Sequence, residues 1–148
     1  MNQNEILLQS IVENARMGMN ACEQLLKKSD DFEIRKELDL EKQHYSEIAR
    51  DAEQRMFEAG IEPKPEGMMQ RMGLWMGMEI NTLTDRSPSH IADMLIQGAS
   101  MGIVEMTKAR NSNPEASADA QGIATNFITT QQEAIERLKP FLLQKTKA

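Results

Sequence analysis

Length, composition and charge bound the class of protein. The chain has 148 residues, of which 40% are hydrophobic and 4% aromatic, and it contains 12 methionines. One domain of this length buries roughly 70% of its unfolded surface. Few aromatic residues favour helices packed on helices over a sheet. The net charge of -6 argues against binding to nucleic acid or anionic membranes, which needs a basic surface.

The single cysteine and the amino terminus indicate the compartment. Cys22 cannot form an internal disulfide, and the first residues lack the basic and apolar regions of a signal peptide. No apolar run approaches the roughly 20 residues of a membrane span. We therefore expect a cytoplasmic protein that does not enter a membrane. Cys22 lies on the apolar stripe of the first predicted helix, which favours an inert core thiol.

The first half of the chain predicts a helical hairpin. Helix A is expected from about residue 4 to 28 and helix B from about 31 to 59, and the short turn between them makes the two antiparallel. Helix A carries its apolar stripe at Leu8, Ile11, Val12, Ala15, Gly18, Met19, Cys22, Leu25 and Leu26. The inner face of helix B is Ile34, Leu38, Glu41, Tyr45, Ile48, Ala52, Met56 and Ala59. Gly60 suits the left-handed end of that helix.

A long link follows, with a short methionine-rich helix expected at about 67–84. Its stripe towards the bundle is Met69, Met72, Met76, Ile80 and Leu83. Leu74 and Met78 fall on the opposite side, so this helix must cover the bundle with one face and meet something else with the other. Thioethers are ligands for Cu(I), but they also suit adaptable contact surfaces. We expect a homodimer with Met68, Leu74 and Met78 in its interface.

The second half predicts another hairpin, with helix C at about 88–111 and helix D at about 115–143. The stripe of helix C is Ile91, Met94, Leu95, Gly98, Met101, Gly102, Glu105 and Ala109. That of helix D is Ala120, Ile123, Ala124, Phe127, Ile128, Gln131, Ala134, Ile135, Leu138 and Leu142. A weak internal echo matches residues 15–19 with residues 99–103. Two hairpins joined by a long crossover predict one all-α domain, 1–148, an antiparallel four-helix bundle.

Polar residues on these inner faces are the candidates for chemistry. Glu41 and His44 form a Glu-x-x-His pair on helix B, Gln131 is the polar member of helix D, and Glu105 lies on the stripe of helix C. One interpretation is a buried hydrogen-bonded layer of Glu41, His44 and Gln131 without an ion. The others are a metal site at Glu41, His44 and Glu105, and proton-transfer catalysis. No nucleophile motif, phosphate loop or dinucleotide fingerprint appears.

These features resemble the ferritin-like superfamily, and the resemblance covers nearly the whole chain. Its di-metal members take a glutamate from each of two helices and a Glu-x-x-His pair from each of the other two. Glu41 and His44 match one such pair, whereas Gln131 and Ala134 stand where the second pair is expected. Helix A offers no inward acid, and helix C offers only Glu105.

The chain is also similar to uncharacterised bacterial ferritin-like bundles with a His-His-Gln-Gly-Ala-Ile-Asp-Met-like segment. The corresponding residues here, 99–106, carry no histidine. At 1.5 Å per residue, Glu41 and Glu105 are expected to differ in height along the bundle by roughly 9 Å, too far to share an ion. We therefore expect a non-catalytic protein that self-associates and needs no cofactor. The alternative is a metal-binding or redox protein that holds Fe, Mn or Cu at Glu41 and His44.

Overall fold

Four helices make up the fold, as a computed structural model shows for residues 2–63, 77 and 79–144. They are α1 (Gln3–Leu26), α2 (Phe32–Glu58), α3 (Pro88–Ser112) and α4 (Ala118–Leu138), and a 3-10 turn, Lys139–Phe141, follows α4. Each helix begins where a side-chain oxygen accepts a hydrogen bond from the third helical N–H, which would otherwise lack an intrahelical partner. The four capping residues are Asn2, Asp31, Ser87 and Ser117.

The ends of α2 and α4 show how sequence sets helix length. α2 ends before Gly60, which has φ +69°, a left-handed conformation that costs glycine little. α4 is shorter than predicted at both ends, because Ser117 caps it and Pro140 lies in the 3-10 turn that follows. The predicted extents of the other three helices agree with the observed ones to within two residues at each end.

Polar contacts between helices establish the two predicted hairpins. Arg16 pairs with Glu53 at 2.8 Å, and Lys42 pairs with Glu23 at 3.2 Å. The later residue of α1 thus pairs with the earlier residue of α2, so the two helices are antiparallel. Arg110 contacts Thr125, and Ser89 contacts Leu143, which follows α4. α3 is therefore antiparallel to α4.

Contacts between the hairpins define the connectivity of the bundle. Tyr45 donates to Gln131 at 2.6 Å, and the guanidinium of Arg137 lies 3.0 Å from the carboxylate of Glu37. α2 is thus antiparallel to α4, as α3 is, and α2 and α3 run in the same direction. The chain is an antiparallel four-helix bundle of two hairpins joined by a long crossover, the predicted fold class. None of the described helices is long and apolar enough to cross a membrane.

Helix α3 is rotated from its predicted orientation. Its buried residues are Ile91, Ala92, Leu95, Ala99, Gly102 and Met106. The predicted stripe members Met94, Gly98, Met101 and Glu105 are only half-buried. The predicted stripe was therefore displaced to one side of the buried face. Apolar residues occur around most of α3, so periodicity alone does not fix which of them point inwards.

Helix α1 is buried over a wider arc than its apolar stripe indicated. Gln9, Ser10 and Asn14 are 5%, 7% and 2% exposed. The amide of Asn14 donates to the carbonyl of Ser10 at 2.8 Å. These side chains remain in the core because helical backbone carbonyls and neighbouring side chains supply hydrogen-bond partners for them.

Most of the predicted crossover helix lies outside the described residues, including the predicted interface residues Met68, Leu74 and Met78. At its end, Ile80 and Leu83 are 3% and 8% exposed. The ammonium of Lys28 donates to the carbonyl of Ile80 at 2.8 Å. The last part of the stripe expected to face the bundle therefore does so.

Candidate functional site

The candidate site is centred on a carboxyl group inside the bundle, on α2. Glu41 is 2% exposed, and its Oε2 has no hydrogen-bond partner among the described residues. Burial raises the pKa of Glu41 from 4.5 to about 8, because the charged form loses its hydration. The positive charge of Arg137 opposes this rise and the negative charge of Glu37 adds to it. At neutral pH the carboxyl group is therefore mainly protonated.

An ion pair between α2 and α4 accompanies Glu41. Arg137 Nε donates to Glu37 Oε2 at 3.0 Å, and the two side chains are 30% and 19% exposed. Arg137 is thus paired with Glu37, which lies one turn before Glu41. Its Nη2 is buried without a hydrogen-bond partner in the described part of the chain. The loss of hydration at Glu41 outweighs the positive charge of Arg137, so Arg137 does not keep Glu41 ionised.

His44 follows Glu41 by three residues and lies at the edge of the core. Its side chain is half-buried, and Nδ1 is buried with no hydrogen-bond partner within the described residues. Residues three apart on a helix lie on the same side of it. Two unpartnered polar atoms, one of Glu41 and one of His44, therefore belong to one side of α2.

The structure does not show the predicted hydrogen bonds among Glu41, His44 and Gln131. Gln131 is hydrogen-bonded to Tyr45 instead. Gln131 is 1% exposed, but its Oε1 accepts from the hydroxyl of Tyr45 at 2.6 Å, and it makes no hydrogen bond with Glu41. Tyr45 was predicted only as an apolar member of the inner face. Burial, the nearby Glu41 and Cys22 all raise the pKa of Tyr45, so its hydroxyl stays protonated and can donate.

Glu105, the third predicted metal ligand, does not lie in the core. Its side chain is 39% exposed and lies 3.8 Å from the ammonium of Lys108 on the next turn of α3. The rotation of α3 moves it to the edge of the buried face. Among the described residues, no three His, Cys, Asp or Glu side chains come together in a group that could hold a metal ion. The structure thus does not bring Glu105 together with Glu41 and His44.

Cys22, on α1, lies close enough to Glu41 for the charge of Glu41 to affect its pKa. It is 1% exposed, and burial raises the pKa of the thiol well above its ordinary value, with Glu41 adding to the rise. A protonated, buried thiol is a poor nucleophile. These properties match those of a core residue.

Sequence reasoning missed three features around this site. They are the Tyr45–Gln131 hydrogen bond, the ion pair of Arg137 with Glu37, and the contact of Tyr45 with Gly18. A Cβ atom on Gly18 would lie 2.5 Å from the ring of Tyr45. The available signals were a glycine on the stripe of α1 and a tyrosine on that of α2, but no pattern in the sequence pairs them.

Comparison with known proteins supports the fold alone. No protein-family model and no curated protein matches the chain. A solved structure of a DUF305 fragment from Deinococcus radiodurans matches it with a TM-score of 0.75. The match covers 95% of each chain at 11% sequence identity. The chain is therefore similar in fold to that fragment over nearly its whole length.

Proposed function

We propose that the chain is a non-catalytic bundle of the ferritin-like superfamily, located in the bacterial cytoplasm, whose function is an interaction, beginning with self-association. One observation supports its non-catalytic part: Glu41, the carboxyl group in the core, is 2% exposed, and burial keeps it mainly neutral. With the pKa at about 8, only a minor fraction of this group is ionised at neutral pH and able to accept a proton as a general base. A neutral, buried carboxyl group fits a core residue that takes no part in a reaction.

The neighbouring polar groups support the same proposal. Gln131 already accepts a hydrogen bond from Tyr45, and Glu105 lies near Lys108 at the surface. Glu41 and His44 then remain as two possible metal ligands, both on one helix. A di-metal centre of this fold takes ligands from all four helices. The described residues do not fit such a centre.

Self-association is supported by the two-sided pattern of the crossover helix. The side chains of Ile80 and Leu83 are buried in the bundle. On a helix continued back from Ile80, Leu74 and Met78 fall on a different side. This sequence pattern, apolar on a second side, is typical of a helix that contacts another surface, and a second copy of the chain would provide one.

Sedimentation of the purified protein tests this proposal. We expect a dimer at micromolar concentration and a shift to monomer when Leu74→Lys and Met78→Lys are combined, because burying two ammonium groups in an apolar contact is unfavourable. Gln54→Lys, at an exposed position of α2, is the matched control and should leave the dimer intact. A wild-type protein that sediments as a monomer would contradict the proposal.

A metal ion held by Glu41 and His44 is the second candidate function. The observation in its favour is that Oε2 of Glu41 and Nδ1 of His44 are both buried without partners among the residues described. If this function operates, Fe, Mn, Zn or Cu ions raise the melting temperature by mass action, and Glu41→Ala removes the rise. No rise with any of the four ions would eliminate this candidate.

A further inference from the structure

A small cavity lies between α1 and α3, apart from the carboxyl group of Glu41. Gly18 on α1 and Gly98 and Gly102 on α3 line it, and the rings of Tyr45 and Phe127 close it on the side of α2 and α4. The two ring centroids are 6.1 Å apart and the rings are tilted by 47°. The cavity is therefore lined by two aromatic rings and by the backbone of three glycines.

One polar atom in this apolar lining lacks a partner. Asn14 lines the cavity and is 2% exposed. Its Nδ2 donates to the carbonyl of Ser10 at 2.8 Å, which leaves Oδ1 as the amide's acceptor. Oδ1 is buried and has no hydrogen-bond partner in the described part of the protein. A buried acceptor of this kind is unfavourable unless a donor reaches it.

We propose that this cavity binds a small neutral aromatic molecule that carries one N–H or O–H donor, as indole and phenols do. The rings of Tyr45 and Phe127 suit an aromatic ligand, and Oδ1 of Asn14 accepts from its donor. A charged ligand is disfavoured because the lining supplies no buried opposite charge: Glu79, the charged residue of the lining, is exposed.

Side chains at the edge of the cavity allow it to open for such a ligand. Its volume of about 30 Å³ has room for one or two water molecules, whereas a cavity of roughly 150 Å³ accepts benzene. Met17 and Met94 line it and are half-buried. Methionine has three rotatable bonds and adapts to the shape of its neighbours. The proposal therefore requires these two side chains to rotate away from the cavity when the ligand binds, which their half-buried positions permit.

Binding of indole and benzofuran to the wild-type protein tests this proposal. The two molecules have nearly the same shape, but benzofuran has an oxygen in place of the N–H donor. We expect indole to bind and benzofuran to bind about tenfold more weakly, the effect of one neutral hydrogen bond. Calorimetric titration gives both dissociation constants. Equal affinities would overturn the role of Asn14, and no binding of either would show that the cavity holds water only.

A pair of variants on α1 locates the effect. Asn14→Leu removes the acceptor and should abolish the preference for indole over benzofuran. Asn20→Leu, the same change at an exposed position of the same helix, should retain the preference. An unchanged preference in Asn14→Leu would overturn the assignment. If Asn14→Leu does not fold, side-chain amide resonances of Asn14 in the wild-type protein must move with indole, and static resonances would overturn it equally.

Discussion

The two helical hairpins repeat one packing motif with different chemistry. In the first hairpin Gly18 on α1 faces the ring of Tyr45 on α2, and in the second Gly102 on α3 faces the ring of Phe127 on α4. The weak sequence echo matches Gly18 with Gly102. The two rings lie 6.1 Å apart, so the motifs meet inside the bundle. The echo thus marks a real correspondence in packing.

The difference between the hairpins lies in the polarity of the second helix. Four residues before Tyr45 stands Glu41, and four residues before Phe127 stands Ile123. Both are buried, at 2% and 6% exposure. The first hairpin therefore places a hydroxyl and a carboxyl group where the second places a phenyl ring and an aliphatic chain. The second hairpin shows that the packing motif does not require the polar groups.

The largest predicted effect is the pH dependence that Glu41 gives to the first hairpin. Its pKa rises from 4.5 to about 8 on folding, so the folded chain holds the proton more strongly than the unfolded chain. The free energy of unfolding should therefore fall as the pH rises from about 4.5 to about 8. At about 1.4 kcal/mol per pKa unit, the fall is at most about 5 kcal/mol.

Urea unfolding of the wild type and Glu41→Gln across this pH range measures the effect. The amide has nearly the same shape and does not titrate, so the variant should lose this part of the pH dependence. Glu105→Gln, which alters a half-exposed carboxylate, is the control and should keep it. Parallel curves for the wild type and Glu41→Gln would contradict a neutral carboxyl group in the core.

The next prediction concerns the glycine of the first hairpin. Gly18→Ala places a Cβ 2.5 Å from the ring of Tyr45, and moving the ring strains its hydrogen bond to Gln131. We expect a loss of roughly 1 to 3 kcal/mol in the free energy of unfolding. Denaturant unfolding measures it, and unchanged stability would show that the ring moves without cost.

Breaking the Tyr45–Gln131 hydrogen bond tests the polar character of the first hairpin. Tyr45→Phe makes its aromatic residue match Phe127 and leaves Oε1 of Gln131 without its donor, at a cost of roughly 1 to 3 kcal/mol. Adding Gln131→Leu should recover much of this loss, because both partners are then apolar. A double variant that is no more stable than Tyr45→Phe would show that the hydrogen bond is not the cause.

The glycine of the second hairpin should respond in the opposite direction to Gly18. A Cβ on Gly102 would lie 3.4 Å from the ring of Phe127, an ordinary contact. Alanine also favours a helix over glycine by about 1 kcal/mol. Gly102→Ala should therefore raise the free energy of unfolding by up to that amount. A loss as large as that of Gly18→Ala would mean that the two motifs are equally tight.

Local periodicity predicted the hairpins and most of the inner faces. Seven of the eight residues assigned to the inner face of α2 are buried, and the exception, Ala59, is the residue that ends the helix. This prediction worked because α2 is apolar on one side and polar on the other. α3 is apolar around most of its surface, so its orientation, and the position of Glu105, depend on tertiary packing.

The candidate site was less predictable than the fold. The pattern identified Glu41 and Gln131 as inner-face residues but not their partners. The partner of Gln131 is Tyr45, to which the pattern gives an apolar role, and Glu37 and Arg137, which form the ion pair, are 100 residues apart in the sequence. Such pairs arise from the lateral position and height of helices in the bundle. No local pattern encodes those quantities.

Elemental analysis by mass spectrometry tests most directly whether the polar half of the first hairpin is structural. The protein is purified without chelator or affinity metal, and each metal is counted per chain beside Glu41→Ala prepared identically. A core whose polar groups hold no ion predicts metal content far below one ion per chain, equal in both proteins. A stoichiometric amount of iron, manganese or copper that disappears in Glu41→Ala would contradict this account and establish a metal site at Glu41.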